Sequence, residues 1–358
     1  MSPGGSCTVV GADGLAYHAA LDHPPRELDE PYEYFLNICR HLARDHGFAG
    51  LDYRIVHDSG SPLPGLSRRS VVLVVADEHC RLPRAATEAS LVCRCFGARP
   101  DYPWQLRLEP TGLLDYARYL REVLRFEWDR VTLGREGARH LIAAIMPIPM
   151  GYCRQLPLPI EPIETRPHLL SFRGSVDNHK AARLSYRALA DRPKRLARLR
   201  MLDAAHRLAR ELPPGSIELR ITESFAVSAA SSALDYSRSL MQTQICLCPR
   251  GTRGETYRIH EALRSGCVVV SERLSASWYL TGSPVIQIDD WRELRGIVHA
   301  LRHDWARMRE LHERALAWWH EMLSPRAVAA RVAVRLAATD GPPTHSLVVA
   351  GTPRVEAC

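Results

Sequence analysis

Short apolar runs alternate with longer amphipathic stretches along the first half of the chain. Continuous apolar runs predict buried strands over residues 7–10, 71–76, 91–96 and 141–146. Apolar residues at helical spacing predict helices over 31–46 and 113–125. The apolar face of the second helix is formed by Leu114, Ala117, Leu120 and Leu124.

The second half shows the same alternation. Its apolar runs predict strands over 169–173, 217–221, 245–248, 267–271 and 284–288. Its helical patterns cover 196–212, 234–242, 257–264, 291–300, 305–323 and 325–338. Strands that alternate with helices indicate parallel sheets with right-handed crossovers. We therefore predict an α/β fold with two Rossmann-like, doubly wound domains that face a cleft, where ligands bind.

Prolines divide the two halves. Residues 153–167 carry four prolines and read as a stiff linker. This places an acceptor-side domain at 1–152 and a nucleotide-binding domain at 168–323. A helix over 324–338 is expected to cross back to the first domain, and 339–358 is expected to form a flexible tail.

Composition limits the class of protein. The 358 residues are 46% hydrophobic and 24% charged, which is typical of a soluble globular protein and excludes disorder and collagen-like repetition. No stretch approaches the roughly 20 apolar residues of a membrane span, and the N-terminus lacks the pattern of a secretory signal. Ten cysteines, without a C-x-x-C motif or zinc-site spacing, predict reduced thiols and a cytoplasmic location.

The net charge of +7 has more than one interpretation. Among the 47 basic residues only Lys180 and Lys194 are lysines, and the arginines are scattered rather than clustered with aromatic residues. This favours a solvated basic surface over a nucleic-acid site. An anionic substrate needs only a few of these arginines, and the basic surface could also help the protein meet an anionic membrane.

The segment 245–272 carries the clearest chemistry. Its strand ends at Pro249, and the glycine-containing loop 250–254 lets the backbone approach a ligand closely. Thr256 can cap the helix that begins at Tyr257. The unpaired amides and partial positive charge of that helix N-terminus form a natural diphosphate site.

Two charged residues extend this site. Arg258 lies on the first helical turn and can reach the same anion, and Glu261 follows three residues later on the same face. The carboxylate of Glu261 can accept hydrogen bonds from two ribose hydroxyls. The alternative is that Arg258 and Glu261 form an exposed ion pair on an ordinary helix.

The same segment resembles the exostosin-type glycosyltransferases over about residues 168–300. The resemblance is carried by Pro249-Arg250-Gly251, Arg258, Glu261-Ala262-Leu263 and Gly266-Cys267-Val268-Val269-Val270, and further by Phe172-Arg173-Gly174, Tyr236 and Asp289-Asp290-Trp291. It implies the GT-B architecture, with the donor held mainly by the C-terminal domain. It also implies that Arg258 contacts the donor diphosphate and Glu261 the ribose, with Arg173 as a second phosphate ligand and Arg250 and Gly251 lining the loop.

The resemblance implies a glycosyltransferase that moves a sugar from a nucleoside diphosphate donor to a hydroxyl of a glycan, a lipid-linked sugar or a small molecule, with inversion. The chain has no D-x-D triplet, so we expect no metal and no cofactor beyond the donor itself. Three alternatives stay open: a fucosyltransferase-like GDP-sugar enzyme, a non-catalytic nucleotide- or sugar-binding protein and, least supported, a nucleic-acid binder.

Inversion needs a base that deprotonates the acceptor hydroxyl. Asp77, Glu78 and His79 follow the strongest strand of the first half, at the edge where sites form. Asp77 is the first candidate and His79 the second. Asp13 and His18, which follow the first strand, are rivals. For each of these residues a role in a loop or as a helix cap is the alternative.

Overall fold

The computed structural model describes residues 6–22, 32–61, 63–153, 155–176, 192–222 and 230–339. These residues form two β-sheets, one in each half of the chain, with helices packed against them. The predicted α/β class with two largely parallel sheets is confirmed. The predicted tail over 339–358 lies outside the described residues, except for Thr339, which ends the last helix.

The first sheet has six strands in the order β2-β1-β3-β4-β5-β6, and β2 is its antiparallel edge. The strands are β1 Ser6–Val10, β2 Ala16–Ala20, β3 Asp52–Val56, β4 Ser70–Val74, β5 Leu91–Arg94 and β6 Ile145–Pro147. Sequence reasoning missed β2 and β3. In β3 the polar residues Asp52 and Arg54 interrupt the apolar run and bond to each other at 2.9 Å.

Three α-helices lie in the part of this half that the structure describes: α1 Glu33–Asp45, α2 Pro110–Thr132 and α3 Arg135–Ala144. The predicted strand over 141–146 is wrong for most of its length, because residues 141–144 end α3 and only residues 145–147 form β6. Leu141 packs from the helix onto the sheet. A short apolar run cannot by itself distinguish a buried helix end from a strand.

The face of α2 that is buried is not the apolar face that its sequence predicts. Its buried face carries the carboxylates Asp115, Glu122 and Asp129. Leu114, Leu120 and Leu124, predicted as its apolar face, are exposed to solvent. Each of these buried acids pairs with an arginine from another element, so ion pairing rather than apolar burial fixes the rotation of this helix.

The second sheet has five parallel strands in the order β11-β10-β9-β7-β8. They are β7 His168–Ser175, β8 Ile217–Thr222, β9 Thr243–Cys248, β10 Val268–Glu272 and β11 Ile286–Ile288. The chain moves outward from β7 to β8 and then returns to the other side of β7. Strand order therefore reverses between β7 and β9, whereas β1 and β3 to β6 follow one another in a single direction.

The described residues of the second half form six α-helices: α4 Arg192–Ala209, α5 Ala230–Met241, α6 Tyr257–Arg264, α7 Leu294–His303, α8 Trp305–Trp318 and α9 Pro325–Thr339. The helix predicted over 305–323 leaves α-helical geometry at Trp319, and Trp319–Leu323 forms a π-helical turn. None of the described helices is long and apolar enough to cross a bilayer.

Both faces of the second sheet are buried. Ile245 and Leu247 face a core built with α4, α7 and α8, while Cys246 and Cys248 face the core that the two sheets share. The two cysteines of β9, which are two residues apart, thus share one buried face of the sheet. Side chains of a strand alternate between its faces, so β9 contributes to both cores.

The segment between the sheets and the last helix connect the two halves. Arg166 is buried and donates to the backbone oxygens of Thr243 and Ser265, which fixes residues 155–167 to the second sheet. Helix α9 packs on α1, and the hydroxyl of Tyr34 donates to the backbone oxygen of Leu323 at 2.6 Å.

A matched pair of glycines tests the packing at this junction. Gly151 and Gly47 both have positive φ, but only at Gly151 would a Cβ atom meet a side chain, the Tyr34 ring at 2.3 Å. We expect Gly47→Ala to lower the free energy of unfolding by about 1 kcal/mol and Gly151→Ala by at least about 3 kcal/mol. Urea unfolding measures both values, and equal losses would contradict the close packing at Gly151.

Candidate functional site

The strand order reverses between β7 and β9, and open α/β sheets bind ligands at the carboxyl ends of the strands beside such a reversal. Arg258, on the first turn of α6, extends over the end of β7. Its Nη2 donates to the backbone oxygen of Arg173 at 2.5 Å, and its guanidinium lies 4.7 Å from the centre of the Phe172 ring. A Cβ atom on Gly174 would lie 2.2 Å from Arg258 Nη2, so a larger residue there would require the end of this arginine side chain to move.

Three residues near this reversal of strand order carry unpaired polar atoms. Within the described part of the chain, Arg258 Nε, Arg173 Nη1 and Thr256 Oγ1 are buried without a hydrogen-bond partner. Thr256 has the extended conformation of a helix N-cap, but its hydroxyl makes no capping bond to α6. A buried unpaired donor costs about 1–3 kcal/mol. An anion bound at this point would satisfy both guanidinium groups and the hydroxyl.

Glu261 is buried rather than exposed. Its Oε2 accepts from the Tyr236 hydroxyl at 2.6 Å, and its Oε1 accepts from the backbone N–H of Cys153 at 3.0 Å. Burial raises the pKa of this carboxyl, while the two hydrogen bonds oppose the rise. The alternative of an exposed ion pair between Arg258 and Glu261 is therefore wrong. Burial also raises the pKa of Tyr257, which begins the helix.

Loop 250–254 contacts the first half of the chain through its arginines. Arg250 Nη2 bonds to Asp115 Oδ2 at 2.7 Å, and its guanidinium lies 4.0 Å from the centre of the Trp104 ring. Gly251 has no positive φ, and a Cβ there would make only ordinary contacts, so this glycine is not required by the backbone. The structure thus places Arg250 in a contact between the two sheets, on the side of the loop that faces α2.

Sequence reasoning missed Arg253. Its Nη2 bonds to Glu122 Oε2 at 2.6 Å, its Nε donates to the backbone oxygen of Glu78 at 2.8 Å, and its Nη1 donates to the backbone oxygen of Asp101 at 3.1 Å. The arginine is buried. The sequence signal was its position between two glycines, but its carboxylate partner lies 131 residues away along the chain.

Asp77 is buried and fully bonded. Its carboxylate accepts from Arg94 Nη2 at 2.8 Å, from the backbone N–H groups of Arg81 and His79 at 3.1 and 3.2 Å, and from the hydroxyl of Ser59. Arg94 itself has no exposed surface. This arrangement fixes the loop after β4.

His79 has the more open position. Its ring is half exposed, and Nδ1 lies 3.2 Å from Glu122 Oε1, the other oxygen of the carboxylate that holds Arg253. Sequence reasoning did not single out Glu122, because its spacing on α2 gives no sign that it lies beside the loop after β4. A carboxylate that holds one imidazole nitrogen leaves the other nitrogen available to accept a proton.

The remaining candidates lie on the first hairpin or contribute only backbone. Asp13 is exposed in the turn between β1 and β2 and accepts from the backbone N–H of Leu15. His18 lies on the edge strand β2, 3.2 Å from the hydroxyl of Thr8. Glu78 approaches Arg253 through its backbone oxygen.

A second buried cluster ties the loop to the end of the first half. Glu255 Oε1 lies 2.7 Å from His260 Nε2 and accepts from the backbone N–H of Met150, and Glu255 Oε2 accepts from the Tyr279 hydroxyl at 2.8 Å. Glu255 and Tyr279 also line a cavity of about 320 Å³ between Phe96 and the loop 275–280. Neither Arg258 nor Glu261 lines this cavity.

The described residues hold no group of three or more His, Cys, Asp or Glu side chains that could bind a metal ion. The expected metal independence stays a prediction. Near the reversal of strand order, positive charge comes from Arg258, from Arg173, which pairs with Asp235 at 2.7 Å, and from the N-terminus of α6.

Residues 217–327 match the family model of the RXYLT1 C-terminal domain. The match covers less than half of the chain and includes Tyr236, Arg258 and Glu261. It supports the resemblance to exostosin-type glycosyltransferases that the sequence analysis drew from this segment. Together with the two parallel sheets, it supports a glycosyltransferase. Among curated protein sequences, none matches the chain.

Several solved structures are similar to this chain. The GtfA/B complex is 11% identical with a TM-score of 0.39, over 76% of this chain and 58% of that chain. TarM is 9% identical with a TM-score of 0.39, over 77% and 55%. HepE from Anabaena, in complex with UDP, is 12% identical with a TM-score of 0.36, over 79% and 99%. This chain thus spans little more than half the length of the first two.

The buried carboxyl of Glu261 gives a pH-dependent stability. Because burial raises its pKa above the ordinary value of 4.5, the folded state holds this proton more tightly than the unfolded state does. The stability that the group contributes is present at low pH and is lost as the pH rises from 4.5 through the raised value. As the pH rises from 4.5 through the raised pKa, we therefore expect the stability of Glu261→Gln to increase relative to that of the wild type. Urea unfolding at several pH values measures this difference.

Glu211→Gln is the matched control of opposite sign. Arg295 and His299 lower the pKa of this exposed carboxyl, so the variant should lose a little stability relative to the wild type as the pH rises. Parallel pH profiles for Glu261→Gln and the wild type would contradict the proposed burial of an ionisable group at position 261.

Proposed function

We propose that this protein is a glycosyltransferase that moves a sugar from a nucleoside diphosphate donor to a hydroxyl of a glycan, lipid-linked or small-molecule acceptor. The observation that carries the proposal is the group of unpaired buried donors at the reversal of strand order. Arg258, Arg173 and Thr256 direct polar atoms without partners to the place where a parallel sheet binds anions.

The donor diphosphate would lie against the N-terminus of α6. The amide groups of the first turn and the partial positive charge of the helix favour an anion there. Arg258 would add a full charge. Arg173 would add a second guanidinium, since its partner at 2.7 Å, Asp235, is half exposed and leaves Nη1 unpaired, and both would stabilise the diphosphate as it becomes the leaving group. Arg250 is not assigned to the phosphates, since its guanidinium is bonded to Asp115.

The ribose would lie beside Glu261. The Tyr236 hydroxyl and the Cys153 amide hold both oxygens of its carboxylate in place, one from α5 and one from the segment that joins the sheets. Each carboxylate oxygen has a second lone pair that can accept a ribose hydroxyl. The ionised form can accept two hydroxyls, and the two protein hydrogen bonds favour that form against the effect of burial.

The base is assigned to His79 rather than to Asp77. The carboxylate of Asp77 is used by Arg94 and by the backbone of its own loop. His79 has a half-exposed ring held by Glu122, beside Arg253 of the donor loop. His79 would take the proton from the acceptor hydroxyl as the oxygen forms its bond to the anomeric carbon. The bond from that carbon to the diphosphate oxygen breaks at the same time, with inversion.

The proposal includes no metal ion and no cofactor, because arginine side chains and a helix N-terminus can neutralise the leaving group. It places the protein in the cytoplasm, on the basis of its cysteines. Nine of them are free in the described part of the chain, and eight of these are buried.

Removing either donor contact should abolish turnover. We expect Arg258→Ala and Glu261→Ala to lower donor-dependent release of nucleoside diphosphate by roughly 100-fold or more, because each removes charge or hydrogen bonding at the donor. Arg302→Ala, at a half-buried position near the end of α7, is the control and should keep full activity. Circular dichroism would confirm that each variant folds, and normal turnover by a folded Arg258→Ala protein would refute the proposed donor site.

The base is tested by a comparison of two histidines that each lie next to a carboxylate. His79 pairs with Glu122, and the exposed His41 pairs with Asp45 at 2.7 Å. We expect His79→Gln to reduce kcat about 100-fold or more without weakening nucleotide binding, since general-base catalysis contributes about that factor. His41→Gln should have no effect. An unchanged kcat in His79→Gln would remove this residue from the mechanism.

A further inference from the structure

The outer face of α2 is apolar over most of its length. Leu124, Trp128 and Val131 are 70%, 68% and 70% exposed. They continue a row of exposed leucines at helical spacing, Leu113 and Leu120, and the exposed Leu106 and Leu108 precede the helix. From Leu113 to Val131 the row extends about 27 Å at 1.5 Å per residue. We call residues 113, 120, 124, 128 and 131 the leucine row.

An ordinary surface helix buries its apolar side chains and exposes its charged ones, whereas α2 buries three carboxylates and exposes its leucines. Its buried carboxylates Asp115, Glu122 and Asp129 face the protein, where Arg250, Arg253 and Arg81 neutralise them. The usual rotation would bury the leucines and leave the acids in water. The ion pairs fix the helix the other way, so the leucine row can leave water only against a partner that is not among the described residues.

Arginines surround the leucine row. Four exposed arginines lie on α2 and α3: Arg125, Arg130, Arg135 and Arg139. On the exposed surface of these two helices the acids are Glu127, which pairs with Arg130 at 2.8 Å, and Glu136. The outward surface is thus apolar and net positive, because the other three acids of α2 are turned inward.

We propose that α2 docks on the surface of an anionic phospholipid bilayer, with the leucine row in the headgroup and upper acyl region and the arginines at the phosphates. A helix that combines a Leu and Trp face with arginine at its borders is suited to this position. The long stem of an arginine can lie along apolar surface while its charge reaches a headgroup. A second copy of the chain would instead bring the same arginines together, and like charges at an interface oppose association.

The proposal can be tested without any assay of catalysis. The full chain is mixed with vesicles of phosphatidylcholine alone or with roughly 30 mol% phosphatidylglycerol, and bound protein is measured by flotation. We expect binding to the anionic vesicles that weakens as salt is added, since the charged part of the interaction is screened. The double variant Leu124→Gln/Trp128→Gln should bind these vesicles at least about tenfold more weakly than the wild type, because both side chains lose apolar contact with the lipid.

Two sets of variants distinguish binding through this surface from non-specific binding to vesicles. Val334→Gln removes an apolar side chain that is 69% exposed on α9 and should leave vesicle binding unchanged. Arg125→Gln/Arg139→Gln should weaken binding to the anionic vesicles while the leucine row is intact. All substituted side chains are exposed, so the unfolding temperature should stay that of the wild type.

Three results would overturn the proposal. The wild type could fail to bind anionic vesicles, or the double variant Leu124→Gln/Trp128→Gln could bind them as well as the wild type. Size-exclusion chromatography could also show a dimer that dissociates in the double variant, which would make a second copy the occupant of the leucine row. None of these results bears on the proposed sugar transfer, which is measured by nucleotide release.

Discussion

The structure depends on buried ion pairs between loop 250–254 and α2. Arg250 bonds to Asp115 and Arg253 to Glu122, so one short loop of the second half is anchored at two points on a helix of the first. Removing one partner of a buried pair typically costs about 3–5 kcal/mol, because a charge is left without compensation. The same loop leads directly into α6. These bonds therefore fix the N-terminus of the proposed donor helix relative to α2 of the first half.

Glu122 joins this anchor to the proposed chemistry. One of its oxygens holds Arg253 and the other lies 3.2 Å from His79. The position of the candidate base on the first sheet is therefore linked to the position of the loop that precedes the candidate donor site on the second. A two-domain enzyme needs such a link, since the base and the anomeric carbon must come within bonding distance across the cleft. The inward acids of α2 thus serve the site, while its leucines are left outside.

Much of the candidate site is local in sequence, and that part was predictable. The strand, glycine-containing loop and helix of 245–272 follow one another along the chain, so Arg258 and Glu261 could be placed on one helix from their spacing alone. Their partners could not, because Tyr236, Cys153 and Gly174 reach them only through the fold. Arg250 shows the limit of local reasoning: its position in the loop pointed to the phosphates, but its charge is bonded to an aspartate 135 residues earlier.

The sequence by itself determined the α/β class, two parallel sheets and the order of most strands and helices, because apolar periodicity follows directly from the geometry of each element. Only the tertiary structure decided which way α2 faces, since its leucines and its carboxylates form two competing faces and the arginines that choose between them come from distant loops. It also decided that residues 141–144 are helical and that strand order reverses between β7 and β9. Such features depend on contacts between residues far apart in the chain, and a local pattern carries no record of them.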